Sequence, residues 1–171
     1  ITLGSFTMAL ILILAGTAFS VYQYPPIKGS GEIVYLRYLH TIYESGGVYY
    51  SANPTGGIEY QSSYASNVIN WAIWASPDNA NILLTDGTYT IYSTITDQGK
   101  NGINIEGESW DSKIVVVGAI DGFHIRSQKD WVFRNFKIEG TKAARLTLGF
   151  EKAHFRIQNS SNITIDHIWS R

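Results

Sequence analysis

Residues 124–136 read HIRSQKDWVFRNF, and 32 positions later residues 156–168 read RIQNSSNITIDHI. Laid over one another, Ile125 falls on Ile157, Trp131 on Ile163, Phe133 on Ile165 and Phe136 on Ile168, with Phe123 on Phe155 just upstream. A polar turn residue, Asp130 or Asn162, precedes the second apolar run in each copy. An apolar position that recurs at a fixed offset is the mark of repeated structural units, each burying its apolar face against the next. The offset accommodates one unit plus an insertion, for which Thr141 to Lys152 is the natural segment.

Working outward, residues 80–171 contain short apolar runs at Ile82–Leu84, Thr88–Ile91, Ile103–Ile105, Ile114–Val117 and onward to Ile163–Ile165. Each alternates apolar with polar residues and is bounded by Gly, Asn, Asp or Ser, the pattern of short strands. One helix interrupts them. Ala65, Val68, Ile69, Ala72 and Ile73 share a helical face, Ser62, Ser63 or Ser66 offers an N-cap, and Pro77 ends the segment. Together these features predict an all-β fold of parallel β-helix type, a solenoid whose exposed first edge is covered by the helix. Residues 62–171 would form the cap and first coils, residues 28–61 a linker and short β leader.

Val68-Ile69-Asn70-Trp71-Ala72-Ile73, Ile82-Leu83-Leu84-Thr85-Asp86-Gly87-Thr88-Tyr89-Thr90-Ile91 and Gly102-Ile103-Asn104-Ile105-Glu106-Gly107-Glu108 carry a resemblance. In this order they resemble the opening of the pectate-lyase-like right-handed parallel β-helix superfamily, the pectin lyase fold. The resemblance implies a capping helix leading into stacked coils, and a carbohydrate-directed role among the lyases, hydrolases and adhesins that share the fold. It also admits Ca2+ as a cofactor. Asp166-His167 is similar to the family's W-I-D-H motif, although Ile163 and Thr164 depart from it.

The N-terminal 27 residues hold no charged residue and no His, and Met8–Leu14 is a compact apolar run. Such a run followed by small residues at Ala18-Phe19-Ser20 reads as a signal peptide, and Leu3–Tyr22 is also long enough for a membrane anchor. Either reading places the remainder outside the cytoplasm. Composition agrees. Of 171 residues, 16% are charged, against about 25% in an average soluble domain, while 13% are aromatic and none is Cys. Disulfides and thiolate metal sites are therefore excluded. A net charge of −1 with no basic run argues against nucleic acid as a partner; a polysaccharide or cell-surface glycan fits better. Oligomeric state is not encoded in any motif.

Candidate chemistry is sparse. Asp166 and His167 are the candidate catalytic pair, because strand alternation turns Asp166 away from the Ile165 face. Arg126 and Arg156 are candidate substrate-binding cations for an acidic sugar, with Arg134 a further one. Trp110, in the turn Ser109-Trp110-Asp111-Ser112, is the candidate stacking platform, since an aromatic face packs on apolar sugar surface; Trp131, Trp169 and Tyr92 are alternatives, with Trp131 at a core position. Glu106, Glu108, Asp121, Asp130 and Glu139 do not cluster as glycosidase pairs or calcium sites do, so no metal site is assigned. Gly102 and Gly107 open no helix and precede no Lys-Ser/Thr, which rules out a phosphate loop. Asn159 and Asn162 each begin an N-glycosylation sequon and equally suit a tight corner. The function implied is an exported carbohydrate-active or carbohydrate-binding protein, a polysaccharide lyase or glycoside hydrolase if catalytic; the alternative is a non-catalytic surface adhesin, envelope component or viral fibre.

Overall fold

A computed structural model describes residues 38–140 and 153–171. Residues 1–27, read above as a signal peptide or anchor, and the expected insertion 141–152 lie outside the described residues. Among the described residues no helix is long and apolar enough to cross a membrane.

The chain opens with an antiparallel meander. β1 (His40–Ser45) turns into β2 (Val48–Ala52) through Gly46 and Gly47, both at positive φ, the geometry that a two-residue hairpin loop requires. The Asn53 side chain accepts from the Thr55 and Gly57 amides and shapes the turn into β3 (Ile58–Ser62). β3 was not evident in the sequence, because Ile58-Glu59-Tyr60-Gln61-Ser62 buries no side chain fully, with Ile58, Glu59 and Gln61 exposed.

α1 (Ala65–Ala75) buries Ala65, Val68, Ile69, Ala72 and Ile73, the face that its spacing predicts. Its N-cap is Tyr64, with no side-chain cap, in place of the expected Ser62, Ser63 or Ser66; Ser62 instead accepts from the Tyr64 backbone N–H at 3.1 Å. Ser76 closes the other end, its amide and hydroxyl both donating to the Ala72 carbonyl.

The remaining strands pair in parallel: β4 (Asn81–Leu84), β5 (Gly87–Ile91), β6 (Ile95–Thr96), β7 (Asn104–Gly107), β8 (Ser112–Val116), β9 (Phe123–Arg126), β10 (Val132–Gly140), β11 (Phe155–Gln158) and β12 (Thr164–Ser170). β10 bends at Asn135, so its first half pairs with β7, its second half with β8, and β12 runs along its other side. The aligned residues of the sequence repeat become pairing partners: Phe123 with Phe155, Ile125 with Ile157, Phe133 with Ile165 and Phe136 with Ile168.

The closed solenoid expected from the repeat is nevertheless corrected. The larger sheet has nine strands in the order β3-β2-β1-β4-β7-β10-β8-β5, with β12 beside β10, and it is mixed because β1, β2 and β3 are antiparallel. β6, β9 and β11 form a separate three-stranded sheet. The physical reason lies in the leader. Its glycine turns make local hairpins, and β1 then joins β4 in parallel, extending the sheet instead of closing it.

Both sheets and α1 enclose one apolar core that runs from Ile42, Ile69 and Ile73 through Ile82, Ile105 and Ile114 to Trp131, Phe133 and Phe136. Phe123 stacks on Phe155 and tilts against Phe133, with ring centroids 5.4 and 4.9 Å away. The turns between strands rise in columns of left-handed residues. Asn79, Gly102, Asp130 and Asn162 form one and Gln98, Ser127 and Asn159 another. Neighbours in the first column are tied by backbone bonds such as Asn79 N–H to Asn101 O and Gly102 N–H to Lys129 O, each 2.9 Å.

Candidate functional site

The sequence candidates do not converge. Asp166 and His167 lie in β12. Arg126 and Arg156 stand on the smaller sheet, and Trp110 occupies the turn between β7 and β8.

Asp166 pairs with Arg134 across the parallel ladder, and Arg134 pairs with Glu106. An outward row of alternating sign results, in which Arg134 Nε donates to Glu106 Oε2 at 3.1 Å. Opposite charges on neighbouring strands support the sheet by a few tenths of a kcal/mol to about 1 kcal/mol. Arg134 therefore stands between the Glu106 and Asp166 carboxylates. His167 sits at the bend of β12 with φ of +48°, at the counterpart of Asn135 in β10. His is among the residues that tolerate this region. Its Nδ1 lies 2.7 Å from Asp166 Oδ1, an arrangement that fixes the tautomer with the Nδ1 proton toward the carboxylate and leaves Nε2 as the basic nitrogen.

On the smaller sheet, inward Phe123, Ile125 and Phe155 alternate with outward His124, Arg126 and Arg156. Arg156 Nε donates to Asp121 Oδ2 at 2.8 Å, and the other oxygen of this buried carboxylate accepts from the Ala153 amide. The task of Arg156 is therefore to neutralise Asp121. Arg126 is exposed, and its backbone amide donates to Asp97 Oδ2 at 2.7 Å. His124 Nε2 lies 3.0 Å from Gln158 Oε1.

Trp110 is 43% exposed in its turn. Trp131 is fully buried, and its Nε1 donates to Lys100 O at 2.7 Å, which makes it a core residue. Trp169 and Tyr92 are exposed at 38% and 57%. Trp169 was one aromatic among several in the sequence; its neighbours give it a setting. It follows Lys137 on the next strand, and Lys137 follows Lys113. The pair of lysines escaped notice, although each begins a Lys-Ile dipeptide, at 113–114 and 137–138, which was the available signal.

Among the described residues no group of three or more His, Asp or Glu is placed to hold a metal ion. The other carboxylates serve local structure. Glu108 accepts from the Asp86 amide at 3.1 Å, and Asp130 accepts from Asn162 Nδ2 at 2.5 Å. Asn159 and Asn162 are both exposed left-handed corner residues.

No family model, curated protein or solved structure matches this chain. The resemblance to the pectate-lyase-like proteins rests on the quoted motifs alone.

Proposed function

We propose that this is an exported glycan-binding surface protein. The observation that carries the reading is the presence of exposed aromatics, Trp110, Trp169 and Tyr92 together with Trp74 and Tyr64 at α1, on a weakly charged β scaffold. Aromatic side chains left in water on ordered elements supply flat apolar area at little conformational cost, which suits the apolar faces of sugar rings. The uncharged apolar stretch within residues 1–27 supports export. Ca2+ belongs to the proposal only through the family resemblance.

A second reading, polysaccharide cleavage, is favoured by one observation. Asp166 orients His167 so that Nε2 is available as a general base, and His167 is well exposed to an incoming polymer.

The two readings separate in one experiment. The chain is incubated with a panel of neutral and acidic polysaccharides while retention, reducing ends and unsaturated-uronate absorbance are followed. Binding without turnover, weakened several-fold by Trp110→Ala, is the expected result. Turnover lost in Asp166→Ala and His167→Ala would establish the catalytic reading. Neither retention nor turnover on any polymer would remove both.

A further inference from the structure

Lys113 and Lys137 are direct partners on adjacent parallel strands, and both point outward because Ile114 and Ile138 beside them are fully buried. Thr88 precedes them on β5 and Trp169 follows on β12, so Thr88, Lys113, Lys137 and Trp169 occupy four consecutive rungs of one face. Like charges directly opposite one another destabilise a sheet, and among the described residues little offsets the repulsion. Asp111 Oδ1 lies 3.8 Å from Lys137 Nζ but its side chain is 82% exposed, and such a surface pair contributes little. Among the described residues Glu139 is the other acid on this face, two residues beyond Lys137.

We infer that this face is a binding site for an anionic saccharide. The two ammonium groups would receive one carboxylate or sulfate group, while Trp169 on the next rung presents its ring face to the adjoining sugar. The inference rests on the glycan-binding reading and assigns its ligand class and its face. A shared anion converts a repulsive pair into two charge-assisted contacts, each stronger than a neutral hydrogen bond. Arg126 and Arg156 lie on the other sheet and are not part of it.

The test uses the full chain on three immobilised polymers: polygalacturonate, dextran sulfate and neutral dextran. Retention on polygalacturonate alone assigns the carboxylate, and retention on dextran sulfate assigns the sulfate. Lys113→Gln with Lys137→Gln should weaken binding about tenfold or more, as loss of a charged hydrogen bond does. Trp169→Ala should weaken it several-fold. Lys137→Arg should retain binding, which separates lost charge from lost fold, and Arg126→Gln should leave it unchanged. Equal affinity of the double lysine variant, or loss in Arg126→Gln instead, overturns the assignment. Retention on neutral dextran only would overturn this inference and leave the glycan-binding reading standing; retention on none would overturn both.

Discussion

Gly102 shows how much a single residue can decide. Its φ is +68°, and a Cβ built on it would meet the Asn79 side chain at 2.1 Å and the Asn79 Cα at 3.1 Å. In the sequence Gly102 figures only in the Gly102–Glu108 motif and in the phosphate loop ruled out there; the closeness of Asn79, 23 positions upstream, arises when the two turns stack. Gly102→Ala should therefore destabilise the protein by about 2 kcal/mol, from left-handed strain together with displacement of a neighbour. A denaturant titration checks this, and an unchanged midpoint would mean that the column is freer to shift than its contacts imply. His167 teaches the converse. The Asp-His dipeptide was legible, but its place at the bend of β12 was not, because that place is fixed by pairing with β10. The same holds for Tyr89, whose Gly-x-Tyr setting was visible in the sequence. Its hydroxyl donates to Ile42 O at 2.8 Å, and burial pushes its pKa well above the usual phenol range. Joining β5 to β1 over 47 residues is something no local pattern announces.

At the scale of elements, the smaller sheet depends on an ion pair. Asp121, in the turn before β9, is buried, and Arg156 of β11 is its charged partner. Removing one member of such a pair leaves an uncompensated charge, whereas removing both can be nearly neutral. Arg156→Gln should lower stability by about 2 kcal/mol, a value reduced from the fully buried case because Arg156 is itself partly exposed. The double variant with Asp121→Asn should regain much of that loss, as read from thermal or denaturant midpoints of the four proteins. Additive losses would show that the two side chains act independently. The α1 face, by contrast, was written in the chain. Its apolar spacing sufficed because a helix side buries the same residues whichever strands receive it.

For the whole molecule, the docking of the antiparallel leader on the rest of the fold has its own pH dependence. His40 of β1 is buried, with Nδ1 3.0 Å from Glu59 Oε2 and 3.4 Å from Ser51 Oγ. Its ring meets the edge of Trp71 from α1, which in turn stacks on Tyr60 from β3. Nε2 is buried without a hydrogen-bond partner, so a second proton there would be an unsatisfied donor. Burial lowers the His40 pKa, and Glu59 opposes that only in part. The unfolded chain therefore takes up the proton first. The stabilising contribution of neutral His40 is complete above the ordinary value of 6.5 and is lost as pH falls below it toward the folded value. Urea midpoints of the wild type should fall between pH 7.5 and pH 5.5 by more than those of His40→Gln. Parallel curves would show that other groups govern the acid limb.

The sequence by itself determined the strand-rich class, the helix and its buried face, the repeat offset that later becomes strand register, and the core position of Trp131. These follow from periodicity, which depends only on the local geometry of the backbone. Tertiary structure alone decided that the sheet stays mixed and open, since glycine turns fold the leader on itself before β1 meets β4. It decided that Arg156 serves Asp121, and that Lys113, Lys137 and Trp169 stand side by side. Parallel pairing joins residues 23 to 42 positions apart, and which of them become neighbours is fixed by how the intervening turns are spent, not by the dipeptides themselves.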